Sequence, residues 1–130
     1  MALDSVAQQP APIVGESAGA EVWPSIFTNV ALPLPEWLVA DMKARHEAGI
    51  AKYGTPLRVH NGRDPDVDAY QEALDLLAYS QQRRLRHHSQ PASLKRPAEL
   101  ELRVALDLQF HMTLSLVLRI GTRLYARRSG

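Results

Sequence analysis

Residues 65–85, PDVDAYQEALDLLAYSQQRRL, decide the fold. Val67, Tyr70, Leu74 and Leu77 recur at steps of three and four, the spacing that gathers side chains on one face of an α-helix. Asp64 before Pro65 supplies a side-chain N-cap followed by a first-turn proline, so the segment predicts a helix from Pro65 to about Leu85. Beside the apolar stripe runs a second one, because Asp68, Glu72, Asp75 and Tyr79 stand at i, i+4, i+7 and i+11. No basic residue lies within it. Like charges at this spacing repel by roughly 0.2–0.5 kcal/mol per pair, and the positions three or four away from Glu72 are Asp68, Ala69, Asp75 and Leu76. Positive charge must therefore come from outside the helix, from divalent cations or from basic side chains of another segment.

Working outward, TPLRVHNGRDP at 55–65 carries an Asn-Gly turn signal. Before it, Pro35 suits the first position of a helix. Glu36 to roughly Lys52 supply a helical pattern with Val39, Met42, His46, Ile50 and Tyr53 along one side, stopped by Gly54. VWPSIFTNVALPLP at 22–35 mixes β-branched and aromatic residues with three prolines and reads as an extended segment with room for a short strand. After the acidic helix, RRLRHHSQPASLKRP at 83–97 reads as a basic connection rich in turn formers. A long helix is then expected from about Ala98 to Ala126. It is apolar on more than one side: Leu106, Phe110, Thr113, Val117 and Leu124 form one line, and Val104, Leu108, Met112 and Leu116 another. A three-helix monomer struggles to cover both, so subunit association is the simplest cover. The fold class is all-α: a helical bundle completed by oligomerisation.

The 130 residues form one helical domain, 21–130, behind a flexible arm, 1–20, whose Ala, Pro, Gln, Gly and Ser content offers little apolar surface to offset ordering. Ile13 and Val14 are the arm residues suited to docking on the body. The 15 basic and 14 acidic residues leave a net charge of +1, which gives no overall steering toward nucleic acid or an anionic membrane. The absence of cysteine removes disulfides, thiolate metal sites and thiol nucleophiles together, so metal ligands must be carboxylates or His. The start of the chain lacks the basic and apolar regions of a secretory signal, and the longest apolar run, around Met112 to Ile120, falls short of the ~18–20 residues of a membrane span. A soluble, cytoplasmic protein is expected.

Glu72 and Asp75 form an E-x-x-D pair one helical turn apart, a spacing that can share or bridge hard divalent ions such as Mg²⁺. The pattern is common on solvated helices; the missing basic neighbours, the additional Asp68 and the adjacent apolar stripe make it more informative here. Asp68 also suits the helix N-terminus, where a negative charge complements the macrodipole. With these residues, KYGTPLRVHNGRDPDVDAYQEALDLLAY at 52–79 resembles the phage-associated branch of the all-α MazG-like nucleoside triphosphate pyrophosphohydrolases, and most closely the MazZ-type (d)GTP diphosphohydrolases. The resemblance covers about residues 37–82, the last helix more loosely and the arm not at all. It implies that Glu72 and Asp75 are the second of two acidic pairs that hold Mg²⁺, with Mn²⁺ as a substitute, on a triphosphate. The family's first pair, E-x-x-E, has no clean equivalent, because DMKARHEAG places Asp41 and Glu47 six residues apart. Counting along two antiparallel helices from the loop places Glu47 opposite Glu72 and Asp75, which makes it the expected third ligand. Asp41 and Glu36 are alternatives, with Asp41 also suited to an ion pair with Arg45. The implied metal set is Glu47, Glu72, Asp75 and Asp68, with Glu47, Glu72 and Asp75 catalytic.

The implied reaction is hydrolysis between the α and β phosphates of a (d)NTP, guanine nucleotides favoured, to (d)NMP and pyrophosphate. It implies a role in phage control of the nucleotide pool, in the host cytoplasm, by a homodimer or homotetramer. Lys52 and Arg63 bracket the loop and are candidates for phosphate oxygens, each equally suited to a solvated loop. Asn61 suits a base edge but more often makes a turn, Tyr53 stacking or core, and Trp37 packing. His87 and His88 are adjacent and do not converge on one ion unaided, while His46 and His111 lie on largely apolar faces. The competing reading is a non-catalytic helical interaction protein, or a nucleic-acid binder using Arg83 to His88; three carboxylates in a stripe that holds no basic residue, beside a packing face, do nothing for such a binder.

Overall fold

The computed structural model describes residues 9–29, 33–89 and 97–129. Its α-helices are α1 (Val22–Asn29), α2 (Glu36–Tyr53), α3 (Pro65–His88) and α4 (Pro97–Ser129), with a short 3₁₀ turn at Glu16–Ala18. The protein is all-α. Among the described residues the only β feature is one isolated antiparallel bridge between Glu21 and Arg58. The chain divides into two compact units at Arg63 and Asp64.

In the first unit, the segment expected to be extended folds instead as α1. Pro24 sits in the first turn, where a missing N–H leaves no intrahelical bond unmade. The Ser25 and Thr28 hydroxyls donate to the Val22 and Pro24 carbonyls, 2.6 and 3.0 Å away, and Trp23 stacks on Phe27 one turn later. α1 packs on α2, which starts after Pro35 and ends at left-handed Gly54, whose N–H donates to the Ile50 carbonyl at 2.8 Å. No residue of α2 is buried. Val39, Met42 and His46 are half-covered, while Ile50 and Tyr53, expected on the same stripe, are exposed.

Residues 9–20 of the arm run beside the loop that follows α2. The Ile13, His60 and Val59 N–H groups donate to the carbonyls of Asn61, Ala18 and Ala20 at 2.7–3.0 Å, and the Val22 N–H to that of Leu57 at 2.8 Å. Ala18 is buried. Gly62, at φ 80°, lets this approach happen: a Cβ there would meet Ile13 Cδ1 at 2.9 Å. Ile13 is thus fastened to the loop, mainly through its backbone, while its side chain stays 51 % exposed and Val14, also expected to dock, is 64 % exposed. Residues 1–8 lie outside the described residues.

The second unit is an antiparallel hairpin of α3 on α4. Its register follows from Tyr70 beside Gly121, Arg84 on Asp107, and Arg127 on Asp64 and Asp66. α3 buries Val67, Ala73, Ser80 and His87; α4 buries Leu106, Thr113, Val117, Gly121 and Leu124. The α4 seam is the line expected from the sequence, whereas in α3 only Val67 of the expected stripe is buried; Tyr70, Leu74 and Leu77 are half-covered, and the small Ala73 and Ser80 face α4 and allow close approach. At Gly121 an added Cβ would lie 2.9 Å from Tyr70 Cε1. Asp64 caps α3 as expected, its carboxylate accepting from the Asp66 N–H at 2.9 Å. Arg127 then reaches both Asp64 and Asp66, tying the last turns of α4 to the first turn of α3.

α3 continues to His88, so residues 83–88, expected in a connection, are helical. Arg86, His87 and His88 suit the negative end of the helix dipole, and Arg84 is fixed by α4: Nε donates to Asp107 Oδ1 at 2.9 Å while the guanidinium lies 4.4 Å from the Phe110 ring centre. The expected connection at 90–96 lies outside the described residues. α4 buries only one of its two apolar lines; Val104, Leu108, Met112 and Leu116 are exposed. By length and composition alone, α4 is long and apolar enough to cross a membrane, where the apolar run was expected to fall short.

Candidate acidic site on the hairpin

Because α3 turns Ala73, Ser80 and His87 toward α4, its remaining residues are distributed by the helical repeat. Glu72 and Asp75 fall on the exposed side, Tyr79 with them, and Asp68 is half-covered. The expected stripe therefore exists as one outward face of α3. Glu72 and Asp75 have no partners among the described residues, as is also true of Glu101 on α4 and of Glu36, Asp41 and Glu47 on α2; what sets the two apart is that they stand one turn apart on the same helix. Asp64 and Asp66 are held by Arg127, and Asp107 by Arg84; Asp68 also has an interaction of its own. Among the described residues neither Glu72 nor Asp75 forms a hydrogen bond or ion pair. The helix leaves two adjacent carboxylates without compensating charge, an all-oxygen donor pair of the kind that hard, well-hydrated cations accept. Among the described residues no three His, Asp or Glu side chains are gathered as a metal-binding group. A cation held by this pair would take its further oxygens from water, phosphate or another part of the chain.

Of the acids in the first unit, Glu36, Asp41 and Glu47 are all exposed on α2. The Asp41–Arg45 ion pair that the i+4 spacing suggests is not formed among the described residues. Lys52 is exposed, its Nζ 5.0 Å from the Tyr53 ring centre. Asn61 is buried and makes the turn: Oδ1 accepts from the Arg63 N–H at 3.1 Å, and its carbonyl accepts from Ile13. Arg63 donates to the Pro10 carbonyl at 2.7 Å. Two of the three expected phosphate or base contacts, Asn61 and Arg63, are thus engaged in fastening residues 10–13 to the loop, and Lys52 is the one left open.

Trp37, read as packing, is 67 % exposed, in keeping with an α2 that buries no residue. His111, read as lying on an apolar face, is exposed and edge-on to Phe110. His46 is half-covered, with Nε2 3.9 Å from Glu21 and Nδ1 buried without a partner among the described residues.

The sequence reading missed the Arg84, His88 and Asp107 cluster. The Arg84 hydrogen bond, followed by the nearby positive charges, holds the Asp107 carboxyl below its ordinary range despite some desolvation. Asp107 was the available signal, as the one acid inside the apolar stretch of α4, where a lone carboxylate needs a partner. Arg83 donates to Gln109 at 3.1 Å, so two of the three arginines suggested for nucleic acid already serve the hairpin. A groove of about 540 Å³ also opens between the helices beside Leu76, Met112, Leu116 and Arg119. Compared with known proteins, the chain matches no family model, no curated protein and no solved structure.

Proposed function

We propose that the protein is a Mg²⁺-dependent nucleoside triphosphate pyrophosphohydrolase of the MazG-like, MazZ-type kind, converting (d)NTP, with guanine nucleotides favoured, to (d)NMP and pyrophosphate. The observation that carries this reading is the Glu72 and Asp75 pair, one turn apart on the outer face of α3 and without partners among the described residues. On this reading Glu72 and Asp75 hold the cation, Glu47 is the third ligand, and Asp68 supports the pair. Bound Mg²⁺ supplies charge neutralisation for the triphosphate and a lower pKa for a coordinated water. The chain's own part is to hold carboxylates one turn apart on a rigid helix and to keep one carboxylate oxygen free to orient the attacking water. Lys52 is proposed to grip a phosphate oxygen. The protein is proposed to act in the cytoplasm as a homo-oligomer.

The test is product analysis. Each ribo- and deoxyribonucleoside triphosphate is incubated with the protein and Mg²⁺ or Mn²⁺, and the products are separated. Monophosphate with pyrophosphate supports the proposal. A diphosphate with inorganic phosphate, or no turnover, removes it. The second reading, a non-catalytic interaction protein, draws on the uncovered apolar line of α4; nucleic-acid binding is the weaker form of it, because Arg83 and Arg84 are already engaged.

A further inference from the structure

We infer that the groove between α3 and α4 holds the base of the nucleotide, and that Arg83, acting through Gln109, selects a base with a keto oxygen over one with an amino group. That the ligand is a nucleotide rests on the proposed function; the geometry of the groove does not. The groove encloses about 540 Å³, with Leu76 of α3 and Met112 and Leu116 of α4 as its apolar surface. Small-molecule sites are clefts of roughly 300–1,000 Å³ with an apolar lining and a few directed polar groups. Its two ends differ. Tyr70 beside Gly121 fixes the register, so two residues on along α3 and two back along α4 bring Glu72 level with Arg119. Glu72 also stands one turn before Leu76 on the same side of α3. One end of the groove therefore adjoins the acidic pair, and Arg119 lines it, exposed and without an ion pair among the described residues. A cation on the carboxylates and the Arg119 guanidinium would share a polyphosphate between them.

Gln109 lines the other end. It lies ten residues before Arg119, roughly 15 Å away along α4 at 1.5 Å per residue, which is the reach of an extended nucleotide from its phosphates to the far edge of its base. This end presents donors. Arg83 donates to Gln109 Oε1 at 3.1 Å, and because a guanidinium has no acceptor, it fixes which end of the amide faces it. The Gln109 NH₂ is left for the ligand. The Thr113 hydroxyl is spent on the Gln109 carbonyl at 2.8 Å, and the exposed Ser115 carries a hydroxyl that can donate or accept and so discriminates nothing. An NH₂ held in this way bonds the O6 and N7 edge of guanine or the O4 of thymine, and meets the amino group of adenine or cytosine donor to donor. Arg83 is thus a positioning residue, since the orientation it imposes on Gln109 is what tells the bases apart.

The test compares kcat/KM on the full-length chain with Mg²⁺ for dGTP against dATP and for dTTP against dCTP, pairs that hold base size constant. The native chain should favour the keto base of each pair by about tenfold or more. Gln109→Met, which keeps the length and removes the amide, should bring both ratios to within about threefold. Arg83→Met, which leaves the Gln109 amide free to turn, should do the same, whereas a merely structural role lowers all four rates together and leaves the ratios alone. Circular dichroism checks that each variant keeps its helix. Equal rates within a pair for the native chain, or ratios that either variant leaves unchanged, overturn the inference and leave the proposed function standing. Turnover of no nucleotide removes the proposed function instead, and equilibrium dialysis of dGMP and dAMP in EDTA then judges the groove. Preferential dGMP binding that is lost in Gln109→Met supports it; equal or absent binding overturns it.

Discussion

Replacing Glu72 by Gln separates a ligand role from a structural one, because the two give opposite signs in stability. Glu72 is exposed and has no partner among the described residues, so the substitution breaks no contact. Gln and Glu have nearly equal helix propensity. What changes is repulsion. Asp75 lies three residues on and Asp68 four before, each like-charge pair worth roughly 0.2–0.5 kcal/mol. Asp68 already has an interaction of its own, which discounts its share. The metal-free variant should therefore be more stable by about 0.3–0.8 kcal/mol, a rise in Tm of roughly 1–4 °C for a chain of this size. Turnover of dGTP with Mg²⁺ should meanwhile fall by about two to three orders of magnitude, the scale of losing one charge partner of a transition state. Thermal unfolding in EDTA followed by circular dichroism reads the first quantity and nucleotide hydrolysis the second. A Tm several degrees lower identifies Glu72 as structural, and undiminished turnover removes it from the site; either result refutes the reasoning.

Three further outcomes follow from the hairpin. Leu124 is 1 % exposed, so Leu124→Ala should cost about 2–5 kcal/mol in urea unfolding; a loss under about 1 kcal/mol would mean that the α3–α4 seam is not closed there. Gly121→Ala should destabilise by about 1–3 kcal/mol, because the added methyl meets the Tyr70 ring, and Tyr70→Ala should relieve part of that clash in the double variant; additive losses would argue against the contact. Asp107 titrates below its ordinary range when folded, so its contribution is fully present above the unfolded aspartate value near pH 4 and is lost as pH falls through the folded value. The stability difference between the native chain and Asp107→Asn should stay constant above about pH 5 and shrink in more acid solution; a gap that widens there contradicts the Arg84 pairing.

What the sequence made legible was local. Asp64 and Pro65 start α3 and Gly54 ends α2 because capping chemistry acts within one turn, and the buried line of α4 follows from the helical period. The features that needed tertiary context were not legible. α1 hides behind Pro24 and β-branched neighbours, whose helix is supported by Trp23 on Phe27 and by hydroxyls bonded back along the chain. The last turn of α3 depends on Asp107 and Phe110, more than twenty residues away. Trp37 and His111 are exposed because burial depends on a neighbouring surface that spacing alone does not supply. Within the candidate site, the exposed pairing of Glu72 with Asp75 follows directly from their three-residue separation. Asn61 and Arg63 instead show a turn and a fastening for the arm, because residues 10–13 come back to that loop.

The most direct measurement is isothermal titration of an α,β-methylene dGTP analogue into the native chain with and without Mg²⁺, repeated with Asp75→Asn. The account predicts binding that requires Mg²⁺ and is lost in the variant while its helix content is unchanged. Binding that ignores Mg²⁺, survives the substitution, or is absent from the native chain would contradict the claim that Glu72 and Asp75 hold a cation for a triphosphate.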